Sequence, residues 1–196
     1  NRFMQDFAEV VRIPPPRKRP CDPREVLQEV ARLLKEESET RRVRWEWEVA
    51  DPLSPVEMDR PQMEQAFINI CRNSLEAIGR EGTVTVRLGT DRGRPFAVIR
   101  DTGGGISLGI REHLFTPFFT SKENGQGIGL TLVQEVLLGH GFDFSLENDG
   151  PGAAAFTLMF SRSPQGYRSA RRAGLGFRSR QARQSCAFGS PLVPYA

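Results

Sequence analysis

The sequence predicts an α+β two-layer sandwich, with helices packed on one face of a mixed, mostly antiparallel sheet. Three observations predict it. The segments follow one another as helix, strand, helix, two strands, a long loop, helix and two strands. The last four strands come as two pairs around short glycine-bearing turns, the pattern of antiparallel hairpins. Finally, 196 residues with 38% apolar, 26% charged and 9% aromatic side chains make one domain plus attachments, hydrophobic enough to bury a core and too polar to span a bilayer.

The elements follow in order. From Asn1 to Arg12 the apolar Phe3, Met4, Phe7, Val10 and Val11 recur at helical spacing until Pro14, Pro15 and Pro16 stop them. This reads as the end of a helix that began upstream. Arg17 to Pro23 is a basic, proline-bounded linker, and Asp22 before Pro23 is an N-cap signal. A helix from about Pro23 to Glu37 is expected to bury Val26, Val30, Leu33 and Leu34. Val43, Trp45, Trp47 and Val49 alternate with Arg44, Glu46 and Glu48, which predicts a half-buried strand, and Asp51 to Pro55 a turn. A second helix opens near Asp59 to Pro61, sets Met63, Phe67, Ile70, Cys71, Ser74 and Ile78 along one side, and ends at Gly79 to Gly82. Strands follow at 83–88 and 96–100 around Asp91, Arg92 and Gly93. Asp101 to Gly127 is a long glycine-punctuated loop of the kind that is usually functional. A buried helix over 128–138 and a second hairpin, 142–147 and 154–160, complete the set.

Charge divides the chain. Residues 161–196 hold seven arginines and no acidic residue, which leaves 20 basic against 24 acidic side chains before them. The folded part is acidic, so a basic isoelectric point does not make it a nucleic-acid binder. The tail is compositionally disordered. It reads as a solvated tail, an out-of-frame translation, or an arm for nucleic acid or an acidic partner. Cys21, Cys71 and Cys186 form no close-spaced pair, which argues against a disulfide framework or a zinc site and for a reducing, cytoplasmic setting. Apolar runs stay well short of the ~20 residues of a membrane helix.

Chemistry concentrates in three places. Asn69, Asn73 and Glu76 fall at i, i+4 and i+7, on one helix face. An amide oxygen there can join a magnesium shell completed by water and phosphate, although two solvated asparagines read equally well from this helix alone. Asp101-Thr102-Gly103-Gly104-Gly105 follows a strand; the carboxylate can accept from an exocyclic amine and the glycines let backbone approach a flat ring, or the run is simply a turn. Gly125-Gln126-Gly127-Ile128-Gly129-Leu130 leads into a helix whose first amides could hold phosphate oxygens. It is neither a Rossmann fingerprint nor a Walker loop.

Together, in this order and spacing, the chain resembles the ATP-binding domain of sensor histidine kinases in the GHKL superfamily. The matching residues are Asn69-x-x-x-Asn73 (N box), Asp101-x-Gly103-x-Gly105 (G1), Phe115 to Lys122 (F box), Gly125-x-Gly127-x-Gly129 (G2) and Gly150 to Thr157 (G3 region). The resemblance spans about Pro20 to Phe160 and implies a Bergerat-type ATP-binding fold over 20–160, with 1–19 ending a dimerisation helix and its linker, as in nitrogen-regulation-type kinases. It implies that Asn73 ligates magnesium with Asn69 near the phosphates, and that Asp101 reads adenine. Gly103 and Gly105 would hinge a lid, and Phe118, Thr120, Ser121 and Lys122 of the F box would face the nucleotide, Lys122 meeting phosphate. Gly125, Gly127, Ile128, Gly129 and Leu130 would present the triphosphate site, and Thr157 would support adenine.

The implied activity is transfer of the γ-phosphoryl group of Mg·ATP to a histidine, for relay to a response-regulator receiver domain. The other implied partner is the phosphoacceptor and dimerisation domain of a homodimeric parent, with any membrane anchor in parts absent here. A non-catalytic nucleotide sensor and a hydrolytic ATPase are the alternatives, the second disfavoured because hydrolytic relatives place a glutamate where this chain has Asn69. Thr102 and Gly104 stand where the family commonly has asparagine and proline, which is expected to loosen the lid. His113 and His140 lack an acceptor box and are expected to be structural or surface residues, and Trp45 and Trp47 to be packing residues.

Overall fold

Strand register decides which side chains this molecule brings together. A computed structural model describes residues 13–50, 53–120 and 125–160. In chain order the elements are β1 (Arg19–Cys21), α1 (Pro23–Leu33), α2 (Lys35–Arg41), β2 (Val43–Val49), β3 (Val56–Met58), α3 (Arg60–Ile78), β4 (Gly82–Asp91), β5 (Arg94–Asp101), α4 (Gly129–His140), β6 (Asp143–Asn148) and β7 (Ala154–Met159). The five-stranded sheet has the order β2-β4-β5-β7-β6, antiparallel except for the β2–β4 pair. The expected two-layer architecture is the observed one. The expected helix over 1–12 and the tail over 161–196 lie outside the described residues.

On the helix-facing side the register lines up three rows across all five strands. Val49, Leu88, Ala97, Leu158 and Phe144 form the first, and Trp47, Val86, Ile99, Phe156 and Leu146 the second. The third, at the end of the sheet, is Trp45, Val84, Asp101, Ala154 and Asn148, where apolar character gives way to polar. α3 covers β4 and β5 and is flanked by α1 and α4, so Phe67, Met63, Leu75 and Cys71 are fully buried between the layers. Burial pushes the Cys71 thiol up to about 12, leaving it a packing group. Trp45 and Trp47 stack on each other with centroids 6.4 Å apart, and the Trp45 indole donates to Ser38 Oγ at 2.9 Å. They pack against the core, as expected.

Three details differ from expectation. The first helix breaks at Leu34 and resumes as α2 to Arg41. Leu33 is 63% exposed and Leu27 fully buried instead. At ~100° per residue Val26, Val30, Leu34 and Leu27 span one stripe, and Leu33 falls just outside it. The basic linker contains β1, which pairs antiparallel with β3, Pro20 opposite Glu57. A proline is tolerated there because the strand has only this one partner.

α3 and α4 run antiparallel and are joined at one end by a polar knot. Asp59 caps α3 by accepting from Gln62 N–H, while its own N–H donates to His140 Nε2 at 2.9 Å. That fixes the proton of His140 on Nδ1, which donates to the Val136 carbonyl at 2.7 Å. The segment ahead of β1 lies across the knot: Gln62 Nε2 donates to Pro14 O, Arg17 N–H to Asp59 Oδ2 and Lys18 Nζ to His140 O. His140 is therefore structural.

Two consequences can be measured. Leu27→Ala should cost about 2–5 kcal/mol in denaturant unfolding, while Leu33→Ser should change stability by less than about 0.5 kcal/mol. Burial, helped by the Lys18 charge, holds His140 below its ordinary 6.5, against the pull of the Val136 carbonyl and Asp59. The unfolded chain thus takes up this proton first, and stability should fall as pH drops below 6.5. His140→Gln, which keeps an acceptor without the titration, should flatten that part of a melting-temperature profile.

Candidate functional site

The third row places Asp101 at the end of β5, 6% exposed, beneath the C-terminal half of α3. Gly103 N–H donates to Asp101 Oδ1 at 2.9 Å, and Ser74 of α3 hydrogen-bonds the same carboxyl. Burial still dominates and raises the carboxyl above its ordinary value, against the opposing effects of Gly103, Ser74 and Arg100. A buried acid at a strand end, held but not ion-paired inside the core, is poised to accept one more hydrogen bond.

Glycines allow the surrounding backbone to close in. A Cβ on Gly103 would lie 2.6 Å from the Ala77 carbonyl carbon, so only glycine lets the loop after β5 rest on the last turn of α3. Thr102, expected to loosen this loop, ties it down instead. Its N–H donates to Thr83 O at 3.3 Å and its hydroxyl accepts from Thr83 N–H at 3.0 Å, adding a rung to the β4–β5 ladder. Gly104 N–H then donates to Gly152 O in the β6–β7 turn.

The two other motifs meet nearer the middle of α3. Asn69 donates Nδ2–H to the Gln65 carbonyl at 2.8 Å, which turns its Oδ1 outward from the α3 backbone. That oxygen would be 3.0 Å from a Cβ on Gly129, the first residue of α4. Helix α4 has no side-chain cap, so the amides of its first turn, through Leu130, open beside the asparagine stripe. Asn73 and Glu76, one and two turns further along α3, are half-buried. Gly127, at φ +66°, would place a Cβ 2.4 Å from the backbone of Phe118, whose N–H donates to Gly127 O at 3.0 Å. The F box and G2 are thereby clasped, with Phe118 itself 45% exposed at φ +62°. Phe115 packs edge-on against Phe144, while His113 is exposed beside Phe119. Thr120, Gly125 and Ile128 flank this clasp, and Ser121 and Lys122 lie outside the described residues.

One expected residue is not brought in. Thr157 pairs with Val98 and Ser145, three positions along β7 from Ala154, which pairs with Asp101. Side chains alternate along a strand, so an odd offset puts Thr157 on the opposite face of the sheet from Asp101. The neighbour of Asp101 on the last strand is Ala154, whose methyl group accepts and donates nothing. Two residues that hold the site were missed, Ser74 and Asn148. Ser74 left a faint signal, a hydroxyl among the apolar positions of α3; Asn148 left none beyond its place beside a turn.

Comparison with known proteins decides the family. The family of histidine kinase-, DNA gyrase B- and HSP90-like ATPases matches residues 58–180. The chain belongs to it. Relatives of this ATPase-family domain include the sensor histidine kinase ZraS of Salmonella typhi, 28% identical over 161 residues, 81% of this chain and 34% of that protein. The signal transduction histidine-protein kinase AtoS of Escherichia coli K12 is 34% identical over 120 residues, 61% of this chain and 20% of that protein. The chain thus spans about a third or less of these relatives. The catalytic domain of histidine kinase ThkA superposes with a TM-score of 0.69 at 25% identity, covering 76% of this chain and 98% of that one. The family match runs past Phe160 into the arginine-rich segment. No helix among the described residues is long and apolar enough to cross a membrane.

The raised Asp101 has a stability consequence. Its folded-state carboxyl ionises at higher pH than the unfolded one, so ionisation costs stability as pH rises above 3.8. Asp101→Asn should therefore raise stability near neutrality, a gain that shrinks as the pH of denaturant titrations is lowered toward 3.8.

Proposed function

We propose that this domain binds Mg·ATP in the cleft between α3, the G1 loop and the start of α4, and transfers the γ-phosphoryl group to a histidine presented by a separate helix. The observation behind the reading is the meeting of Asn69 with Gly129, which sets a carboxamide stripe against open helix amides, while the buried Asp101 waits at the far end of the same helix. Asp101 accepts from the exocyclic amine of adenine. The amides of Gly129 and Leu130 take phosphate oxygens, favoured by the helix dipole.

Magnesium suits this donor set, because Asn73 with Asn69 offers neutral amide oxygens and leaves most of an octahedral shell to water and phosphate. When bound, it would neutralise charge on the phosphates. Asn69 cannot act as a general base, since its amide nitrogen is committed to Gln65 O and its oxygen is not basic at neutral pH. The residues described here therefore position ATP without activating water at this point, which favours transfer over hydrolysis. The reading extends to relay to a response-regulator receiver domain, supported by the solved complex of histidine kinase ThkA with the response regulator TrrA, and to a homodimeric parent kinase with this part in the cytoplasm.

The test has two arms. Mg·ATP titration should show binding by the wild-type chain, loss of at least about a hundredfold in Asp101→Ala, and a smaller loss confined to the magnesium-dependent part in Asn73→Ala. Incubation with a supplied acceptor-helix domain and Mg·[γ-32P]ATP should label that domain and not this chain. Equal affinity in all three proteins would overturn the site; binding without transfer would leave a nucleotide sensor.

A further inference from the structure

Asn148 is exposed, at the end of edge strand β6, and no motif includes it. Yet its carboxamide makes two bonds to one residue of the G1 loop. Ile106 N–H donates to Asn148 Oδ1 at 2.6 Å, and Asn148 Nδ2 donates to Ile106 O at 2.9 Å. The side chain acts as an extra strand would, satisfying both backbone groups of Ile106. The preceding residue explains the fit: Gly105, at φ +78°, would place a Cβ 3.0 Å from Asn148 Oδ1 and 3.4 Å from Ala153 O. A side chain there would crowd the Asn148 carboxamide and strain the backbone.

The register sets this clamp opposite Asp101. Asn148 pairs with Ala154, and Ala154 with Asp101, so all three share one row and one sheet face. Two strand spacings put the outer pair about 10 Å apart, with only the methyl group of Ala154 between them. The loop from Gly103 to Ile106 crosses above this gap, held at one end by Asp101 and in the middle by Gly152 O. Asn148 holds its far end. Outside the gap, Arg100 bonds Asp149 and braces the hairpin against β5.

We propose that Asn148 is a positioning residue for the nucleotide base: by clamping Ile106 it stretches the G1 strap across the end of the sheet, confining the purine between strap and Asp101. The proposal rests on the ATP reading above. It makes the triple glycine a fixed strap, bonded at Gly103, Gly104 and Ile106. It also assigns base selectivity partly to a residue that never needs to touch the base.

The experiment compares wild type, Asn148→Ala, Asn148→Asp and Asp101→Ala for binding of Mg·ATP and of Mg·ITP, which lacks the exocyclic amine, alongside nucleotide-free melting temperatures. Asn148→Ala should weaken Mg·ATP roughly tenfold, the size of one to two net hydrogen bonds, and narrow the preference for ATP over ITP, with a fold that remains intact and only a small fall in melting temperature. Asn148→Asp, nearly the same shape, should do at least as badly, because it sets a carboxylate oxygen against the Ile106 carbonyl; a space-filling role would be kept by that variant. Faster exchange of the Ile106 amide in either variant would report the lost clamp directly. Wild-type affinity and preference in both Asn148 variants, with binding lost in Asp101→Ala, would overturn the positioning role and leave the ATP site standing. Absence of ATP binding by the wild-type chain would overturn both.

Discussion

The architecture depends on how closely α4 can approach α3. The N-terminus of α4 lies against Asn69, close enough that a Cβ on Gly129 would come 3.0 Å from the Asn69 amide oxygen. At the other end the same two helices are tied through His140 and the cap residue Asp59. The helix pair is hydrogen-bonded at one end and in close contact at the other, which sets the amides at the start of α4 beside the carboxamides on α3. Two motifs separated by more than fifty residues thereby become one surface. The segment before β1 is bonded to the fastened end, and it is the segment that leads from whatever precedes this domain.

The sheet supplies the other half of the site by running out of apolar residues at one end. Two rows of Val, Leu, Ile, Phe and Trp hold the layers together, and the third substitutes Asp101 and Asn148. Burying a carboxyl costs stability, and the hydrogen bonds from Gly103 and Ser74, with the charge of Arg100, offset only part of that cost. A fold selected for stability alone would place an amide or an apolar residue at that position. Retaining the acid is understandable where an amine-bearing ligand completes its bonding.

Much of this was legible in the sequence. The aspartates before Pro23 and Pro61 did cap helices, and the alternation of Val43 to Val49 did make a half-buried strand. The Arg92-Gly93 turn, both residues at positive φ, closed a tight hairpin as its composition implied. What escaped were features without a local period. β1 and β3 are three residues each, too short for alternation to register, and exist because they pair with one another. Leu33 was assigned to the core from its spacing, but it lies one step outside the stripe and beside the break at Leu34.

The sequence by itself determined the elements, their caps and the ordered glycine, asparagine and aspartate motifs, because backbone preferences and helix spacing act over a few residues. Only the tertiary structure decided which face of the sheet each strand residue occupies, since that follows from register against a partner strand. A strand's parity is invisible until its neighbour is known. That is why Thr157, which the motif suggested, lies on the far face, while Ser74 and Asn148, which no motif named, hold Asp101 and its loop in place.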